Sequence, residues 1–218
     1  KPILNIATHN LLRFSEILFQ SLAKKLVFIE VVRHPLYMLI QQTLNIENLS
    51  SNPRDIDICY KYRDKIYPYY AQGWEKKFDK FNSAEKAIYY MYSTSKINKK
   101  IRENNATNKH FITIPFENFV LNPKIYLNKI LKTTQTKYSK YTKKILLENK
   151  IPRKKIADSI PLNIYKRCGW KPPKKGLSER EELNLRRNFA VKNRVSEEIM
   201  HILDKISNEY EKKYWIVN

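Results

Sequence analysis

Two short apolar runs, each followed at once by a helical pattern, set the strongest limit on how this chain folds. Residues 26–32 read LVFIEVV, the nearly continuous apolar run of a strand buried on both faces of a parallel sheet. The run stops at Arg33-His34-Pro35. Pro35 suits the first turn of a helix, and Met38, Leu39, Gln42 and Ile46 continue on one helical face. Residues 111–116 (FITIPF) repeat the pattern, with Asn122-Pro123 opening a helix that turns Leu127, Ile130 and Leu131 inward. Between the two, Ser83 is the expected N-cap of a long helix carrying Ala87, Ile88, Met91, Ile97 and Ile101. Helix, strand, helix, strand, helix is the rhythm of an α/β domain with a parallel sheet flanked by helices.

The remainder fits around that frame. Phe14, Ile17, Leu18 and Leu22 predict a helix over about residues 12–25. Residues 48–82, rich in Ser, Pro, Asp and Tyr without a clean period, are expected to be irregular with short helices. Residues 151–177 read as an extended basic loop. Ser178-Glu179-Arg180-Glu181 matches a capping box, and Ile199, Ile202, Leu203, Ile206 and Tyr210 form a helical stripe after Ser196. At 218 residues one domain with a real core is expected.

Charge narrows the partners. The formal net charge of +21, from 42 basic and 21 acidic side chains, points to a polyanion: nucleic acid, anionic polysaccharide or lipid, or a phosphate-rich cofactor. A lysine-rich compositional bias accounts for such a charge equally well. Cys59 and Cys168 are too few for a disulfide framework or a metal site, and no metal is expected. No apolar run reaches the roughly 18 residues of a membrane span. The chain starts at Lys1 and not Met, which leaves open a cytoplasmic location or a membrane association through an upstream segment.

Ligands of open α/β sheets bind beyond the carboxyl ends of the strands, where Arg33 stands. An arginine there can fork onto a phosphate while the next helix offers its N-terminal amides to the same anion; the plainer role is a surface ion pair.

At these residues the chain resembles a family. LVFIEVVRHPLYMLIQQ, residues 26–42, is similar to the segment of sulfotransferases dependent on 3′-phosphoadenosine-5′-phosphosulfate (PAPS) in which a strand ends in Arg-x-Pro. PILNIATH, residues 2–9, resembles the strand ending in Thr-His that precedes the next helix. FITIPFENFVLNPKIYLNKIL, residues 111–131, resembles the strand, Arg-Tyr-Glu-Asp-Leu-type turn and Asn-Pro helix of that family, and residues 207–215 its Tyr-Glu ending.

The resemblance implies a single P-loop NTPase-like sulfotransferase domain over residues 1–218, incomplete at the N-terminus. It implies that Arg33 binds the 3′-phosphate of PAPS and that His9 is the general base. His9 read alone serves equally as a cap of the following helix, and Glu16 and Glu30 are the carboxylates to weigh against it. In the basic loop, Arg167, or Lys175 beside Gly176, would close over the 3′-phosphate and adenine; a solvated charged loop is the simpler alternative. Trp170 either stacks on a base or sugar or anchors that loop, and Tyr67, Tyr69, Tyr70 and Trp74 either line an acceptor cleft or pack in the core.

The departures are specific. The family's serine eight residues after the arginine is replaced by Gln41, and Pro115-Phe116 stands for Arg-Tyr, leaving Glu117 as the matching acid. No Gly-rich 5′-phosphate loop is present in the sequence, so an N-terminally truncated chain is expected, with its activity alone left open. The function implied is transfer of a sulfuryl group from PAPS, without metal, to a hydroxyl of a carbohydrate or glycolipid. The alternatives are a basic nucleic-acid-binding protein without catalysis, with Lys and aromatic residues interleaved near 60–80 and 137–144, and a nucleotide kinase needing ATP and magnesium.

Overall fold

The computed structural model describes residues 5, 11–51, 58–158 and 176–215. Element order is α1 (Ser15–Leu22), β1 (Phe28–Val32), α2 (Pro35–Ser51), β2 (Cys59–Tyr62), β3 (Lys65–Pro68), α3 (Glu75–Lys80), α4 (Ser83–Asn104), β4 (Phe111–Pro115), α5 (Phe116–Leu121), α6 (Pro123–Thr134), α7 (Lys140–Glu148), α8 (Glu179–Lys192) and α9 (Glu197–Tyr214). β1 and β4 pair in parallel, Phe28 against Phe111 through Val32 against Pro115, and α2 and α4 lie in the crossover between them. The domain is α/β, with a small parallel sheet flanked by helices. The expected strand within residues 2–9 lies outside the described residues.

The largest core is helical. Leu39 of α2, Ile88 of α4, and Ile199 and Leu203 of α9 are fully buried together, with Leu183 and Ala190 of α8 closing the layer. Each such aliphatic side chain contributes roughly 1.5–3 kcal/mol when removed from water. On one face of the sheet the Phe28 and Phe111 rings stack 5.5 Å apart beside Phe19 of α1. Ile29 and Val31, on the other face, are 40% and 60% exposed. That differs from the strand buried on both faces that the run predicts: β1 is an edge strand of this two-stranded sheet, and its outer face carries no covering layer among the described residues.

Residues 58–82 are more ordered than expected. β2 and β3 form an antiparallel hairpin, Tyr60 opposite Tyr67, that packs Tyr67 against Phe78 and Trp74. Tyr67 and Trp74 are 5% and 6% exposed, so they belong to an aromatic core and not to an open cleft. The long helix α4 is capped by Asn82, one residue before the expected Ser83, in a reciprocal box with Glu85. The box expected at Ser178 and Glu181 is present.

Candidate anion site at the strand ends

The carboxyl ends of β1 and β4 lie side by side, because Val32 is the register partner of Pro115. The chain leaves β1 through Arg33 and His34 and leaves β4 through Phe116 and Glu117, so parallel pairing brings these four residues together. Glu117 is fully buried, and three neighbours hold it: the His34 amide donates to Oε1 at 3.2 Å, the Tyr210 hydroxyl donates to Oε2, and Arg33 Nε lies 3.8 Å from Oε1. Burial pushes the Glu117 carboxyl above its ordinary range, against the lowering effect of Tyr210, Arg33 and the His34 amide. Burial and the Glu117 charge together push the Tyr210 phenol far above its ordinary range, so it stays a donor.

The Arg33 guanidinium lies 5.0 Å from the Phe116 ring centre and 6.0 Å from that of Tyr37, with its side chain one-third exposed. Arg153 approaches the same Phe116 ring at 5.8 Å, its amide bonded to the Val120 carbonyl and its Nη1 to the Ile156 carbonyl. Two arginines therefore converge on one aromatic plate beyond the strand ends. Planar guanidinium groups resting on a ring keep a fixed orientation, which suits them to a phosphate or sulfate. Arg186 of α8 covers Tyr37 at 4.7 Å while its Nε and Nη2 donate to Glu182 Oε1 and its Nη1 to the Tyr37 carbonyl.

His34 is fully buried among Tyr37, Tyr210 and Trp215. Its Nδ1 accepts from the Leu36 amide at 3.2 Å, which fixes the neutral tautomer with the proton on Nε2, facing Glu211 Oε1 at 3.2 Å. Burial pushes the His34 imidazole below its ordinary range, with Glu211 pulling the other way.

This corrects one expectation. Pro35 has no amide proton, Leu36 donates to His34 Nδ1, and Tyr37 and Met38 donate to the His34 carbonyl. The first amides of α2 are thus occupied within the chain and are not free donors for an anion.

The expected site residues divide as follows. Arg33 is at the centre. Gln41 is half-buried inside α2, about 9 Å along the helix axis from Pro35. Gly176 sits at φ +86 two residues before Ser178, the cap of α8, in a turn where its carbonyl accepts from Lys155 Nζ at 2.8 Å. His9, Arg167, Trp170 and Lys175 lie outside the described residues. Glu30 is bonded to Arg102 Nη1 at 2.6 Å within the sheet face, and Glu16 is exposed on α1, so neither carboxylate stands at the strand ends. Arg153, Tyr37 and Tyr210 complete the arrangement. Arg153 lies in the basic loop and Tyr210 in the Tyr-Glu ending that the sequence singles out, without a signal of their nearness to Arg33, and Tyr37 carries no signal.

Among the described residues no group of three or more His, Cys, Asp or Glu could hold a metal, and no helix is long and apolar enough to cross a membrane. Comparison with protein-family models, with curated proteins and with solved structures finds no match to this chain.

Proposed function

We propose that this protein is a PAPS-dependent sulfotransferase of P-loop NTPase-like fold, moving a sulfuryl group to a hydroxyl of a carbohydrate or glycolipid. The observation that carries the reading is the convergence of Arg33 and Arg153 on Phe116 beyond two parallel strands, with Arg33 braced by a buried Glu117. Arg33, Glu117 and Tyr210-Glu211 come from three separate stretches of the sequence resemblance, and they meet in space.

In this reading Arg33 binds the 3′-phosphate of PAPS and Arg153 supports the same anion. Glu117 and Tyr210 position Arg33, and the basic loop over residues 151–177 supplies the rest of the nucleotide contact through Arg167, or through Lys175 beside Gly176. His9 takes the proton from the acceptor hydroxyl as the sulfur–oxygen bond to the acceptor forms in line with the bond that breaks to the nucleotide phosphate. Such a transfer depends on positioning and charge stabilisation.

The test is calorimetric titration of 3′-phosphoadenosine-5′-phosphate against ADP. A clear preference for the 3′-phosphorylated nucleotide is expected. Arg33→Ala should weaken it by roughly 10- to 100-fold, the worth of a charge-assisted hydrogen bond, and Arg153→Ala should weaken it less. Equal binding of both nucleotides, or of any oligonucleotide with a steep salt dependence, would instead favour a nucleic-acid-binding protein without catalysis.

A further inference from the structure

The last turn of α9, with Trp215 just after it, touches the exits of both parallel strands. Tyr210 donates to Glu117, and the Tyr214 carbonyl accepts from Asn118, both just after β4. Glu211 and Trp215 reach His34, just after β1: the carboxylate faces Nε2 at 3.2 Å, and the Trp215 ring lies edge-on at 5.3 Å while stacking on Tyr37. The His34 amide in turn donates to Glu117, the carboxylate beside Arg33. The turn, the imidazole and the Arg33 brace are therefore one connected unit.

That unit accommodates only a neutral ring. Nδ1 accepts from the Leu36 amide, so a proton added there would set two N–H donors against each other at 3.2 Å in a fully buried place. Among the charged groups around the ring, Glu211 attracts a cation, while Arg186 of α8, itself paired with Glu182, repels it. Arg33 adjoins it in the chain, and Glu117 is already engaged by Tyr210 and Arg33. Tyr37 and Tyr210 face the ring as neutral phenols. Burial outweighs Glu211 and keeps the imidazole uncharged near neutral pH.

We infer that His34 is a proton-operated pin: neutral, it fastens the last turn of α9 across the strand ends; protonated, it gives up the Leu36 amide and releases that turn, so that Arg33 loses its fixed orientation. Anion binding at Arg33 is then a property of neutral pH. This consequence rests on the function proposed above, whereas the release itself does not.

The experiment is hydrogen exchange, followed by mass spectrometry, on the wild type, His34→Asn and Glu211→Gln from about pH 7.5 down to about pH 5. Asparagine still accepts from the Leu36 amide and does not titrate; glutamine still accepts from Nε2 and lacks the charge that favours the imidazolium. Proteins are compared at equal pH, which cancels the intrinsic exchange rate. Below the ordinary histidine value of 6.5, residues 33–38 and 208–215 should exchange at least about tenfold faster in the wild type than in His34→Asn. Helix α4 should stay equally protected in both, which separates release from global unfolding. Glu211→Gln, the variant that decides if His34→Asn does not fold, should move the onset about one pH unit lower. Equal exchange in wild type and His34→Asn, or an unmoved onset in Glu211→Gln, would overturn the pin. Calorimetric titration of 3′-phosphoadenosine-5′-phosphate reads the consequence: between about pH 7.5 and 5.5 its affinity should fall about tenfold more for the wild type than for His34→Asn. Equal loss in both would overturn the control of Arg33. No nucleotide binding at pH 7.5 would instead sink the sulfotransferase reading, and the exchange data alone would then decide the pin.

Discussion

His34 is buried, uncharged and held at both ring nitrogens, and this makes it the side chain whose titration opposes folding. Its folded-state pKa lies below the ordinary 6.5, so the unfolded chain binds the proton more readily in the interval beneath that value. Stability therefore rises with pH through that window and is lost as the solution is acidified below about 6.5. Glu117 and Glu30 have the opposite sign. Burial raises both above 4.5, the folded state holds their protons more tightly, and their contribution falls as pH rises above that value. His34→Asn separates the effects, since an asparagine side-chain oxygen can still accept from the Leu36 amide. Thermal melts of wild type and variant between about pH 5 and 7 should show a smaller loss on acidification in the variant. An identical slope would mean that His34 does not carry the dependence.

Glu85 joins two elements at once. Its Oε2 accepts from the Asn82 amide at the start of α4 and its Oε1 from the Ser196 amide at the start of α9, which has no side-chain cap of its own. Asn82→Ala should cost about 1 kcal/mol, one cap, and Glu85→Ala about 2 kcal/mol, because donors of two helices lose their acceptor. Urea denaturation distinguishes them: equal losses would show that the Ser196 contact adds nothing. Elements with strong periodic patterns were legible in the sequence. α2, α4 and α9 bury the stripes their spacing predicts, and both prolines expected at first helical positions, Pro35 and Pro123, are there. The β2–β3 hairpin was not legible because its turn uses Arg63, at φ +54, where Asn or Gly is the usual signal. α7 escaped because Tyr141, Ile145 and Leu147 are exposed and only Leu146 turns partly inward, so no inward stripe forms.

At the scale of the whole molecule, like charge works against compactness. The Arg102–Glu30 and Arg186–Glu182 pairs are buried enough to resist screening, whereas the surplus lysines are solvated. Raising salt from about 0.02 to 0.2 M should therefore raise the melting temperature, by about 2–4 °C for each kcal/mol of repulsion removed. A fall would mean that favourable surface ion pairs outweigh the repulsion. Of the site, Arg33 was legible from its place after a strand. Arg153 and Tyr37 were not, because their nearness to Arg33 arises from tertiary packing that no local pattern encodes. That packing has a kinetic side. β1 cannot pair with β4 until residues 33–110 have closed into one loop, and Tyr210 reaches Glu117 only when the far end of the chain has folded back. Loop closure on that scale is slow beside helix formation. During refolding, assembly of the Arg33–Glu117–Tyr210 arrangement should thus lag behind the recovery of the far-ultraviolet helix signal, so that the chain passes through a stage already helical with its strand-end residues still apart.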